Sequence, residues 1–178
     1  MHHSPTALPV LAAGLAALLL AGCASNTPAP PRALAELQPT RGSTVSGVVE
    51  FVQQGDVMHV SGTIRGLPPN SEHGFHIHEK GDCSSGDGMS AGGHFNPMAA
   101  MHGRFGQPGV HAGDLPSLHA DANGVATFSA DDRIAAVGSG PADVVGRGLI
   151  VHRDPDDYVS QPAGNSGPRL ACAVITRR

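Results

Sequence analysis

TVSGVVEFVQQGDVMHVSGTIRG, residues 44–66, sets the class of the fold. Val45, Val49 and Phe51 share one face of its first half, and Met58, Val60 and Ile64 one face of its second. Alternation at a period of two marks a strand with one buried side. Gly55-Asp56 supplies the turn, so the stretch reads as a β-hairpin with His59 on the wet face. Beyond it, Leu67–Asn70 is a connection and HGFHIHE, residues 73–79, a third strand. Its alternation puts His76 and His78 on one side and Phe75 and Ile77 on the other. LHADANGVATFSA, residues 118–130, reads as strand, Asn-Gly turn, strand. Ile134–Val137 is a short apolar piece, GLIVH (148–152) a buried strand, and RLACAVIT (169–176) the last strand. No segment longer than a turn or two shows the helical period. The expectation is an all-β domain of about eight short antiparallel strands with two long loops, a sandwich or barrel.

Composition agrees. Twenty-four Gly and 15 Pro favour many turns over long helices. Aromatics are only 3%, so the core is expected from Val, Ala, Leu, Ile and Met. A formal net charge of -4 leaves no basic footprint, which argues against nucleic acid as a partner.

Toward the N-terminus, LPVLAAGLAALLLA (8–21) is too short to span a bilayer comfortably. It has the length and small-residue finish of a secretory signal, read over residues 1–22. LLLAGCAS resembles the lipobox of bacterial lipoproteins, which would make Cys23 the lipidated first residue of the mature protein. The n-region MHHSPTA carries no Lys or Arg, and the alternative is ordinary cleavage near Ala24 with Cys23 discarded. Residues 23–40 then read as a Pro/Ala-rich tether, reaching up to about 50 Å. The folded domain is expected over 41–178. This places the protein in the periplasm or cell envelope, touching a membrane only through a lipid anchor.

Eleven His is the most informative count. Between His73 and Asp114 almost no regular structure is legible, and compact domains rarely keep so long a loop without a fastener. His94, His102, His111 and Asp114 follow the spacing H-x7-H-x8-H-x2-D, three nitrogens and one oxygen, which suits a four-coordinate zinc. His76 and His78 can chelate one ion from a strand, and His152 adds an imidazole at the end of another. Cys83 and Cys172 are either one disulfide, implying an oxidising compartment, or two unrelated buried thiols.

GFHIHEKGDC, SAGGHFNP, HAGDLP, GRGLIVH, DPDDY and GNSGPRLACAVI, in that order from residue 74 to 175, resemble the signatures of the copper/zinc superoxide dismutase family in its bacterial envelope form. The resemblance implies a Greek-key β-sandwich or flattened barrel. It implies copper on His76, His78, His94 and His152, and zinc on His94, His102, His111 and Asp114, with His94 bridging. It makes Asp156 the carboxylate that ties a ligand of each metal together. Arg169 becomes the guanidinium that draws in superoxide, and Cys83–Cys172 the intrachain disulfide. That bond would close a loop of about ninety residues, worth about 4–5 kcal/mol in the chain-entropy model.

The chemistry fits these residue types. Disproportionation needs a metal that cycles an electron, which zinc does not and copper does. His94, with Arg169 the expected catalytic residue, would carry a proton to the departing peroxide. A cationic cleft raises on-rates by about 10 to 1,000-fold, and this family is itself a standard illustration of the effect. The second loop is poor in Lys, so steering would rest on Arg169, Lys80 and Arg153; the alternative for Lys80 and Arg153 is solvated surface charge. Pro168 stands before Arg169 where the family more often has a small residue. His73 is expected to hydrogen-bond structurally. A homodimer is possible. The rival reading is a metal-holding protein on the same fold without turnover; the full ligand set and Arg169 favour the enzyme.

Overall fold

The hairpin over 44–66 forms as two long strands, Ser46–Gln54 (β2) and Val57–Arg65 (β3), with Phe51 opposite Val60 and Val49 opposite Gly62. A computed structural model describes residues 1–2, 28–138 and 140–178; residues 3–22 of the expected signal segment and Cys23 lie outside them. The remaining strands are Arg32–Pro39 (β1), Glu72–His73 (β4), Phe75–His78 (β5), Leu118–His119 (β6), Val125–Asp132 (β7), Gly148–His152 (β8), Arg169–Val174 (β9) and Thr176–Arg177 (β10). One curled antiparallel sheet runs β5-β8-β9-β1-β2-β3-β7, with β10 also beside β1, and β4-β6 forms a separate ribbon. Among the described residues the only helical element is a 3-10 turn at Met89–Ala91. The all-β expectation of about eight antiparallel strands holds.

β1 corrects the domain boundary. The tether was expected to reach residue 40, yet the sheet begins at Arg32. Ala33, Ala35 and Leu37 are buried while Arg32, Glu36 and Gln38 are exposed, a period-two pattern that small alanines and flanking prolines disguise. β1 is the seam of the sheet. Residues 32–37 pair with β2, and Gln38 and Pro39 pair with β9. Its first residues also meet the end of the chain: Ala33 pairs with Arg177, and the Arg178 amide donates to the Arg32 carbonyl at 2.9 Å.

One smaller reading also changes. The turn at Asn123-Gly124 forms, with Gly124 at φ 72°, but the strand before it pairs with β4 rather than β7. Ile134–Val137 forms no strand, and Ala136 makes one isolated bridge to Asp143. The core is largely aliphatic as expected. Even so, three of its members are Phe51, Phe75 and Phe95, and Phe75 meets Phe128 edge to face at 5.2 Å.

Two irregular segments, 79–117 and 153–168, follow β5 and β8. These strands are antiparallel neighbours, so the segments leave opposite ends of the pair. The Cys83–Cys172 disulfide ties the first to β9, with Cα atoms 5.9 Å apart. Ile150 and Ala91 pack around it.

Candidate metal centre

β5 and β8 are antiparallel neighbours, with His76 opposite Ile150 and His78 opposite Gly148. Two isolated backbone bridges, His76 to Asp114 and His78 to His94, draw the long loop back onto β5. A register shift between Val151 and His152 sets His152 opposite Arg169 on β9, and its amide donates to Gly74 O at 2.9 Å. All seven metal-ligand candidates are buried. They form two groups that share His94: His76, His78, His94 and His152, and His94, His102, His111 and Asp114. Within each group one donor atom per residue lies within 4.8 Å of all the others.

In the second group, Asp114 Oδ1 is 3.0 Å from His94 Nδ1, 3.0 Å from His102 Nδ1 and 3.3 Å from His111 Nδ1. The Nδ1 atoms of His94 and His111 are 3.4 Å apart. Tetrahedral zinc with bonds of about 2.0–2.1 Å separates its donors by roughly 3.3–3.4 Å. The other carboxylate oxygen is occupied, accepting the amides of Gly103 at 3.0 Å and His111 at 3.2 Å. Asp114 therefore offers a single oxygen inward.

In the first group, His78 Nδ1–H donates to Gly92 O at 2.9 Å and His152 Nδ1–H to Gly167 O at 3.1 Å. Both rings thus present bare Nε2 lone pairs, which face each other at 3.3 Å. Two lone pairs that close repel unless a cation sits between them. His76 Nδ1 and His94 Nε2 are buried without any hydrogen-bond partner, an expensive condition that a bound cation relieves. The residues therefore fit a metal on both sides of His94.

Asp156 links the sides. Its Oδ2 accepts His76 Nε2–H at 2.6 Å and its Oδ1 accepts His102 Nε2–H at 2.9 Å. This pins the tautomer that leaves each Nδ1 free for metal. Gly164, at φ 64°, covers the bridge, and a methyl group there would run into Asp156 Oδ1 and His102 Nε2.

The electrostatics match. Burial, opposed by the Asp114 contact, lowers His94 to about 4, and burial with the neighbouring imidazoles lowers His152 to about 3. Burial pushes His76 and His78 down as well. His102 is the exception. Burial acts to lower it, but Asp114 and Asp156 at its two nitrogens prevail and raise it to about 9. Burial keeps His76, His78, His94 and His152 as electron-pair donors, while the two carboxylates favour positive charge at His102.

Arg169, half-buried, donates from Nη1 to Gly88 O and from Nη2 to Gly92 O, both at 2.6 Å. It lines a cavity of about 250 Å³ together with His78, His94 and His152. Lys80 and Arg153 do not line it. Arg153 is paired with Asp154 at 2.9 Å, and Lys80 lies 3.9 Å from Glu79. Pro168 directs its carbonyl to the Arg153 amide at 2.7 Å. His73 makes the structural contacts expected, with Nδ1 donating to His152 O at 2.9 Å and Nε2 2.7 Å from Ser71 Oγ. Gln161 was not foreseen. Its amide brackets the His102 backbone, accepting from N and donating to O at 2.9 Å each. A lone amide in a polar loop carries no spacing signal.

The family model for copper/zinc superoxide dismutase (SODC) matches residues 45–175. The chain belongs to that family. It is 38% identical over 148 residues to superoxide dismutase [Cu-Zn] 2 of Aquifex aeolicus, covering 81% of this chain and 86% of that protein. It is 39% identical over 156 residues to superoxide dismutase [Cu-Zn] of Paramecium bursaria Chlorella virus 1, covering 84% and 80%. The crystal structure of the clock protein EA4 superposes with a TM-score of 0.75 at 40% identity, over 84% of this chain and 96% of that one. This copper/zinc superoxide dismutase thus has a copper-like and a zinc-like site with His94 common to both.

Proposed function

We propose that this superoxide dismutase holds copper through His76 Nδ1, His78 Nε2, His94 Nε2 and His152 Nε2, and zinc through the Nδ1 atoms of His94, His102 and His111 with Asp114 Oδ1. Copper held there would supply the one-electron redox chemistry that disproportionation requires. The protein supplies the rest. Arg169 gives the cavity its fixed positive charge and a donor fork for a small anion. His94 Nε2 is the atom positioned to carry a proton to peroxide as it leaves. Asp156 holds His76 and His102 in one orientation, so the two sites keep their spacing.

The observation that carries the assignment is the pair of partnerless buried nitrogens, His76 Nδ1 and His94 Nε2. Metal analysis of the purified protein, with a superoxide-decay assay, tests it. One copper and one zinc per chain are expected, with activity lost when copper alone is removed. A single metal per chain would reject the shared His94.

The finer reading is an envelope enzyme, with residues 1–22 as signal and Cys23 as lipid anchor, protecting the envelope from superoxide. LLLAGCAS supports it, as does the Cys83–Cys172 disulfide, since such bonds persist in oxidising compartments. Membrane fractionation of wild type and Cys23→Ala tests it. A wild-type protein recovered only in soluble fractions would reject the anchor.

A further inference from the structure

Met89 lines the copper-side cavity with His78, His94, His152 and Arg169, yet it is 61% exposed. Scattered exposed apolar side chains are ordinary, and Met98 and Met101 are exposed to the same degree, at 56% and 64%. Neither of those lines the cavity. Met89 is therefore a soft donor at the threshold of a nest of imidazoles.

Its backbone is fixed while its side chain is free. The Met89 amide donates to Asp87 Oδ1 at 2.9 Å. The preceding Gly88, at φ 77°, holds Arg169 through its carbonyl at 2.6 Å. The residue thus opens the 3-10 turn and rides on the Arg169 anchor. The four imidazoles behind it are 0–9% exposed, and three of them, His78, His94 and His152, face the cavity, which gives an incoming metal ion its approach. There it meets Arg169, whose charge opposes a divalent cation twice as strongly as a monovalent one. A thioether is a soft donor and favours copper(I) over the harder copper(II).

We propose that Met89 is an acquisition ligand for copper(I), holding the ion at the cavity mouth before His78, His94 and His152 take it. The inference rests on the assignment of those imidazoles to copper. Met89 serves loading only and takes no part in turnover.

The test uses zinc-loaded, copper-free full-length protein offered copper(I) from a coloured chelator. Met89→Leu keeps the apolar volume and removes the sulfur. It is expected to slow copper(I) uptake by about three- to tenfold, the loss of one weak ligand. Copper(II) uptake, final copper content and activity of the loaded enzyme stay at wild-type values, and Met98→Leu and Met101→Leu load normally. Silver(I), a redox-inert substitute, should shift the Met89 methyl resonance and leave those of Met98 and Met101 in place. Unchanged copper(I) uptake in Met89→Leu, equal slowing with copper(II), or silver shifts common to all three methionines would overturn the proposal. If wild type takes up no copper in either oxidation state, the imidazole assignment itself fails, and the inference fails with it.

Discussion

His78 and Arg169 hydrogen-bond to the same atom, the carbonyl oxygen of Gly92, at 2.9 and 2.6 Å. An imidazole of the copper-side group and the cationic wall of the cavity are thus set by one peptide group. The guanidinium's own hydrogen bonds go to backbone carbonyls and to no metal-ligand candidate, so its charge can be altered with those side chains in place.

Arg169→Ala should lower kcat/KM at low ionic strength by about tenfold or more, within the range of electrostatic steering. Copper and zinc contents should not change. The salt dependence should flatten, since the screened charge is gone. Arg169→Lys should fall between, because one ammonium cannot reproduce the fork to Gly88 and Gly92. An alanine variant as fast and as salt-sensitive as wild type would remove Arg169 from the mechanism.

His152 belongs to one metal group alone. His152→Ala should abolish turnover and spare zinc, as read by metal analysis beside the activity assay. Loss of both metals would show that the ligands are divided differently.

Asp156 accepts one N–H from each side of the centre. Asp156→Asn keeps one acceptor oxygen and turns the other position into a donor, so one imidazole loses its anchor. Zinc affinity should fall by about 10–100-fold in chelator competition. An unchanged affinity would make the bridge dispensable.

Acid stability should depend in part on Asp157. The Ser160 hydroxyl, then the amides of Ser160 and Val159, lower its carboxyl from 3.8 to about 2. A carboxylate favoured in the folded state stabilises it above its unfolded value, and that contribution disappears as pH falls toward the folded one. Metal-free Asp157→Asn should therefore melt below metal-free wild type at pH 5–7. The gap should close between about pH 4 and pH 2. A gap independent of pH would assign the effect to something other than ionisation.

β1 should be indispensable. Leu37→Ala, at a site 1% exposed, should cost about 2–5 kcal/mol in denaturant unfolding. A chain begun at residue 41 should fail to fold, because β2 and β9 would both lose a neighbour. If it folded with full metal content, residues 32–39 would be an accessory after all.

The two groups of side chains that come together around His94 were legible because metal chemistry favours imidazole and carboxylate, and their motifs survive without knowledge of the fold. The β2–β3 hairpin was readable because its alternation is local. β1 was not, since Ala33 and Ala35 look like filler between Pro31 and Pro39 until their burial is seen. The β4–β6 ribbon joins residues more than forty positions apart, and nothing in LHADANG points to Glu72–His73. Residue type leaves Lys80 and Arg153 open between steering charges and solvated surface charges; the fold places both outside the cavity that Arg169 lines.

The meeting of Arg32 with Arg178 has a topological corollary. The polypeptide from β1 to β10 departs and returns at one place, so it is nearly a closed ring. A few flexible residues could join those ends, and new termini could be opened at the Gly55-Asp56 turn, without sacrificing any ladder rung. Such a rearranged gene product should still assemble both halves of the imidazole cluster, because the order in which the strands are synthesised is not what brings them together.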